Sequence, residues 1–168
     1  MLSKALHLLE RVLRSVLAAL MAGLVVSVSW QVLSRYVMAA PSSWTEEAAR
    51  FLMIWIGVLG ATYAYRQRLH LAIDLLPKRM GAVAGARLEM LNAGCVAAFA
   101  LTAMLIGGGR LVMMTWELEQ ISPALGIPMA AVYEVVPISG ALLLLFAGIR
   151  VTEEHAVSTR GPSARQHQ

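Results

Sequence analysis

Residues 44–76 read WTEEAARFLMIWIGVLGATYAYRQRLHLAIDLL. An apolar run over 50–65 is bracketed by polar groups, with Trp44, Glu46, Glu47 and Arg50 at its start and Arg66, Arg68, His70 and Asp74 at its end. A helix without a polar stripe must be buried in protein or in lipid. The run reaches the roughly 20 residues that cross a bilayer core only when 47–49 are counted with it, which draws charge to the edge of the hydrocarbon. Two carboxylates and an arginine within one turn exceed what a lipid-facing span needs at its end, and they suggest a docking surface.

The rest of the chain reads the same way. Of its 168 residues 58% are hydrophobic and 14% charged, and most charges fall outside four apolar stretches, at 12–33, 50–65, 88–109 and 129–149. A soluble four-helix bundle would carry Lys and Glu along one face of each helix, and none of these stretches does. The composition therefore predicts an all-α integral membrane protein of four transmembrane helices with short amphipathic interfacial segments. One membrane domain covers 1–151, and a polar, disordered cytoplasmic tail covers 152–168. Eleven of the 14 basic residues lie in the N-terminal segment, between the second and third spans, or in the tail, leaving Arg35, Arg50 and Arg110 on the other side. The positive-inside rule then puts both termini in the cytoplasm. The net charge of +4 follows from this topology and carries no nucleic-acid signal. The N-terminal apolar run is too long, and Gln31 and Arg35 are too polar, for a cleaved signal peptide. Residues 1–11 read as an amphipathic lead-in, with Leu2, Leu6 and Leu9 on one face.

Within the bracketed span, Ser43-Trp44-Thr45-Glu46 has the form of a capping box, and Pro41 stops any helix arriving from upstream. Glu46 and Glu47 precede Arg50 by four and three residues, so either can pair with it. Capping, favourable acids at the positive end of the dipole and a Trp at headgroup level explain part of the motif. A second acid and an arginine at the hydrocarbon edge remain. Residues 69–76 fit an interfacial helix better than a strand, because an unpaired strand at a membrane leaves its backbone unsatisfied. His70 and Asp74 are one turn apart there, but two ligands do not close a metal site. Cys95 is the only cysteine, so neither a disulfide nor a thiol pair is available. Ala93, Ala97, Ala100, Ala103 and Gly107 form a small-residue stripe suited to close helix packing in lipid.

Glu134 is the acid inside the last apolar run, with Pro137 three residues on. If that helix begins at Pro128, Glu134 lies roughly 9 Å along it, short of the midplane of a core about 30 Å thick. Pro137 leaves the carbonyl of Tyr133 without its usual donor and makes it a contact point for another helix.

The Trp44-x-Glu46-Glu47-x-x-Arg50 entrance, Gly60 within the span, the arginine-rich exit and His70-x-x-x-Asp74 resemble the DctQ-type small permease subunit of tripartite ATP-independent periplasmic (TRAP) transporters. The later segment SPALGIPMAAVYEVVPISG at 122–140 resembles the stretch that leads into that family's last span, so the likeness covers 44–145. It implies a small, non-catalytic subunit of the bacterial inner membrane, without cofactor or metal. Its partners would be a large membrane subunit carrying substrate and sodium, and a periplasmic protein that captures an organic anion such as a carboxylate or sugar acid. Trp44, Glu46, Glu47, Arg50, His70 and Asp74 would contact the large subunit. Two other classes stay open: a stand-alone proton-coupled exporter of the small multidrug type using Glu134, and a membrane-embedded enzyme, for which the sequence offers no nucleophile, metal or quinone site.

Overall fold

The computed structural model describes residues 2–37, 42–67 and 82–159, with side chains over 6–37, 42–67 and 90–149. Helix α1 (Leu2–Val37) joins the amphipathic lead-in to the first span without a break. No proline interrupts this stretch, and extending an existing helix costs far less than nucleating a second one. Its 36 residues measure about 54 Å at the α-helical rise, so part of it projects beyond a bilayer core about 30 Å thick. Helix α2 (Ser43–Arg66) follows Ser42, whose extended backbone (φ −90°, ψ 99°) marks the start, and it closes on a basic residue that suits the negative end of the dipole.

The third crossing is one rod made of α3 (Ala82–Phe99), a π-helical segment (Ala100–Gly107) and α4 (Gly108–Glu117). It settles where this span ends: the helix runs through Arg110 to Glu117. The rod stops at Glu119, which takes a left-handed φ of 47°. There Glu119 N donates to Trp116 O (3.1 Å) and Gln120 N donates to Thr115 O (3.2 Å), the paired bonds that close a helix C-terminus. The last crossing consists of α5 (Met129–Tyr133) and α6 (Val135–Thr159). Among the described residues, four helical stretches are long and apolar enough to cross a membrane: Leu6–Val37, Ser43–Arg66, Met90–Glu117 and Met129–Ile149. The expected interfacial helix at 69–76 lies outside the described residues. Helix α6 runs on to Thr159, into the stretch read as a disordered tail. Glu153, Glu154 and Ala156 are good helix formers, and the Gly161-Pro162 stop comes later.

The four crossings form a layer in the order α1, α2, α6, α3. Helix α2 lies between α1 and α6, and α6 packs on its far side against α3 and the π segment; among the described residues α1 packs its backbone on α2 alone. Leu13, Leu59, Val135, Ala100, Leu143, Phe146 and Ala147 make the core between them. The consequence is a thin core: only 6% of the most apolar stretch of the first span is buried, against 39% in the last.

The small-residue stripe of the third span is split. Ala93 and Ala100 are buried and Ala97 is half-buried, but Ala103 and Gly107 are exposed. An α-helical spacing carries the stripe only as far as Ala100; beyond it, i→i+5 bonding puts more residues in each turn and rotates later positions off the packed face. Gly108 takes over the inward role, where a Cβ would come within 2.8 Å of Val136 Cγ1. Opposite the π segment, a Cβ on Gly140 would lie 2.8 Å from Met104 Cβ, 3.1 Å from Leu105 N and 3.2 Å from Ala100 O. Gly140 therefore lets α6 touch the backbone of its neighbour, and this close approach is the packing the sequence stripe did not reveal.

Candidate functional site

The charged entrance of α2 separates into two parts. Glu46 and Arg50 pair on the helix surface, with Arg50 Nη2 donating to Glu46 Oε1 at 3.3 Å and both side chains mostly exposed. Trp44 stands beside them, half-exposed at 51%. Glu47, one position on, faces the other way. Its Oε2 accepts from Ser122 Oγ (2.8 Å), Ala124 N (2.9 Å) and Leu125 N (2.9 Å). The carboxylate thus caps a turn 75 or more residues away.

That turn is well defined. Ser122 N donates to Ile127 O (2.9 Å), Gly126 N to Ser122 O (3.0 Å) and Met129 N to Gln120 O (2.8 Å). Pro123 supplies the fixed φ that opens a turn, and Gly126 takes φ +67°, a conformation that suits a residue without Cβ. Ser122 is buried, while Ile121, Pro123, Ala124 and Pro128 are exposed around it. Glu47 holds this loop against the start of α2.

The capping box does not form. Ser42 occupies the N-cap position without a side-chain bond, and Thr45 Oγ1 donates back to Ser42 O (2.8 Å). Glu46 is drawn to Arg50, one turn along its own face, and so cannot also reach back. Fully buried Thr45 also offers its carbonyl to Ser27 Oγ on α1 (3.0 Å), which pins the start of α2 to its neighbour. His70 and Asp74 lie outside the described residues.

Two contacts that sequence reasoning missed hold the layer together. Trp55 Nε1 donates to Val132 O (3.1 Å), one residue short of Tyr133, whose carbonyl Pro137 was expected to free. At the opposite end Arg66 Nε donates to Glu10 Oε1 (2.7 Å), with both side chains about four-fifths covered, and the guanidinium lies 6.0 Å from the Phe146 ring centroid. Glu10 is the single acid before residue 46, a signal that could have marked it as a partner for a basic helix end.

Glu134 sits between α5 and α6 and is exposed. Among the described residues no three His, Cys, Asp or Glu side chains converge as a metal set. The contacts at the helix ends described above are ion pairs and hydrogen bonds.

Comparison with known proteins gives the family. Residues 24–155 match the family described as tripartite ATP-independent periplasmic transporters, DctQ component. The chain is similar to an isethionate TRAP transporter permease protein DctMQ of Oleidesulfovibrio alaskensis, 31% identical over 76% of this chain and 21% of that one. It is also similar to the C4-dicarboxylate TRAP transporter small permease protein DctQ of Rhodobacter capsulatus, 31% identical over 60% of this chain and 44% of that one. A third relative is the sialic acid TRAP transporter small permease protein SiaQ of Vibrio cholerae, 31% identical over 47% of this chain and 46% of that one. The matched part of this chain spans about a fifth of the first relative and under half of the other two. With a family match across most of its length and four apolar crossings, the chain belongs to the DctQ component family of the tripartite ATP-independent periplasmic transporters.

Proposed function

We propose that this chain is the small, non-catalytic subunit of a TRAP-type secondary transporter in the bacterial inner membrane, with both termini cytoplasmic, and that it braces a large substrate- and sodium-carrying subunit during uptake of an organic anion. The observation that carries this reading is the thin helical layer: long apolar helices that leave their faces open around an exposed Glu46–Arg50 pair. Such a layer is poor material for an enclosed substrate site, which needs converging polar groups or broken helices aimed at one point. It suits a scaffold. Trp44, Glu46 and Arg50 would meet the large subunit directly, as would His70 and Asp74, while Glu47 acts at one remove by fixing the 120–129 loop. A periplasmic binding protein would deliver the substrate to the assembled complex. Names of relatives support the class of partner, since they include a TRAP transporter permease protein DctMQ and small permease proteins of TRAP systems.

The test is uptake in vesicles containing the large subunit, the binding protein and a sodium gradient, with and without this chain. Uptake that is unchanged when the chain is omitted would defeat the bracing role. The exporter reading rests on Glu134 and is checked with the chain alone: proton-coupled transport lost in Glu134→Gln would favour it. Glu134 stands on an open face and not between packed helices, which counts against it as a carrier site.

A further inference from the structure

The last crossing, α5 and α6 together, is the most enclosed, with α6 gripped by α2 and α3, yet one stripe along the crossing is open. Ala131, Glu134, Ile138, Ala141, Leu145 and Gly148 are all exposed, at alternating spacings of three and four that place them on a single face. Glu134 is the only charged residue between 129 and 149. It lies five residues, or about 7.5 Å, past the start of α5, with no ion pair or hydrogen bond from its side chain among the described residues. Lysine and arginine reach the interface on long stems, whereas a glutamate stem is only two carbons long. Among the described residues, this carboxylate thus stands on an open face of an apolar crossing without a partner.

The shape of the face points the same way. Ala131, Ala141 and Gly148 are small, and a Cβ at Gly148 would meet nothing within 4 Å, so a second backbone can approach closely. The open face of α1 is different: Val25, Val26, Val32 and Leu33 are bulky, uncharged and more than half exposed, as lipid contact favours.

Resting on the function proposed above, we infer that the open stripe of the last crossing is a docking face for one transmembrane helix of the large subunit, and that this helix brings a basic side chain to Glu134. Charges within a membrane pair with one another, and the carboxylate selects a cation. The face is separate from the Glu46–Arg50 pair, which is on α2.

The test uses the assembled complex. A photo-reactive residue is placed at Ile138 or Leu145, with Val26 on α1 as the comparison position. Cross-links to the large subunit are expected from the two α6 positions and not from Val26. A wild-type chain that fails to co-purify with any large subunit defeats the proposed function itself. A wild-type chain that co-purifies while Ile138 and Leu145 cross-link no better than Val26 overturns this inference alone. A second arm tests the charge at equal membrane expression. Glu134→Gln keeps an acceptor and is expected to lower recovery of the large subunit by less than about tenfold. Glu134→Lys sets like charges together and is expected to lower it by about a hundredfold or more. Equal recovery of the two variants overturns the proposed basic partner.

Discussion

Glu46 and Glu47 are adjacent in sequence and do opposite work. One pairs with Arg50 at 3.3 Å on the surface, and the other binds a loop across the layer. Spacing made Arg50 an equal partner for both, because an i,i+3 and an i,i+4 pair are alike on paper. What separates them is Ser122, 75 residues on, and no local pattern reports that distance. If the Glu46–Arg50 pair only decorates a helix, Arg50→Ala removes a surface interaction of about 0.3 to 0.5 kcal/mol, and recovery of the large subunit is unchanged. If Arg50 meets a charge of the large subunit at the hydrocarbon edge, the same change strands that charge at a cost on the order of 3 to 5 kcal/mol. That is more than a hundredfold in affinity. Co-purification of tagged wild type and Arg50→Ala distinguishes the two. For Glu47 the readout is different: Glu47→Ala should free the Ala124 and Leu125 amides, raising their hydrogen exchange by on the order of tenfold through local opening. Glu46→Ala should leave both amides protected.

At the scale of elements, the four crossings were legible because apolar length and missing polar faces are properties of each segment alone. The packing between them was not. A stripe of small residues at α spacing predicted one straight contact face along the third span, and the π segment turned its last two members away. The contact that replaced it uses Gly140 on the last crossing, whose role depends on a neighbouring backbone that its own sequence cannot show. A methyl group at 140 meets backbone atoms at 3.1 and 3.2 Å, which cannot swing aside as a side-chain tip can. Gly140→Ala is therefore expected to cost about 1 to 3 kcal/mol through overpacking. Gly148→Ala, built into open space, should gain up to about 1 kcal/mol from helix propensity. Denaturant unfolding of the purified chain in detergent measures both, and equal effects would remove the special role of the crossing.

For the whole molecule, the charge distribution and the folded contacts give independent accounts of sidedness. Eleven of 14 basic residues fall on one side of the four spans, and by the positive-inside rule that side is expected to face the cytoplasm. The contacts say which parts must share a side, whatever the orientation. Glu47 ties the start of α2 to the 120–129 loop, and Arg66 ties the end of α2 to Glu10 and Phe146. Exposed Ala124 and exposed Gln67 therefore mark opposite ends of the layer. In a Cys95→Ser background, a cysteine placed at 124 should react with a membrane-impermeant thiol reagent in intact spheroplasts, and one placed at 67 only after the membrane is opened. The two possible failures teach different things. Swapped labelling would keep the layer and reverse its orientation, which would mean that the N-terminal and tail charges do not govern insertion. Labelling of both positions from one side would break the layer itself, because α2 would then not cross the bilayer between the Glu47 and Arg66 ties, and the exposed Glu46–Arg50 pair would lose its place at the hydrocarbon edge.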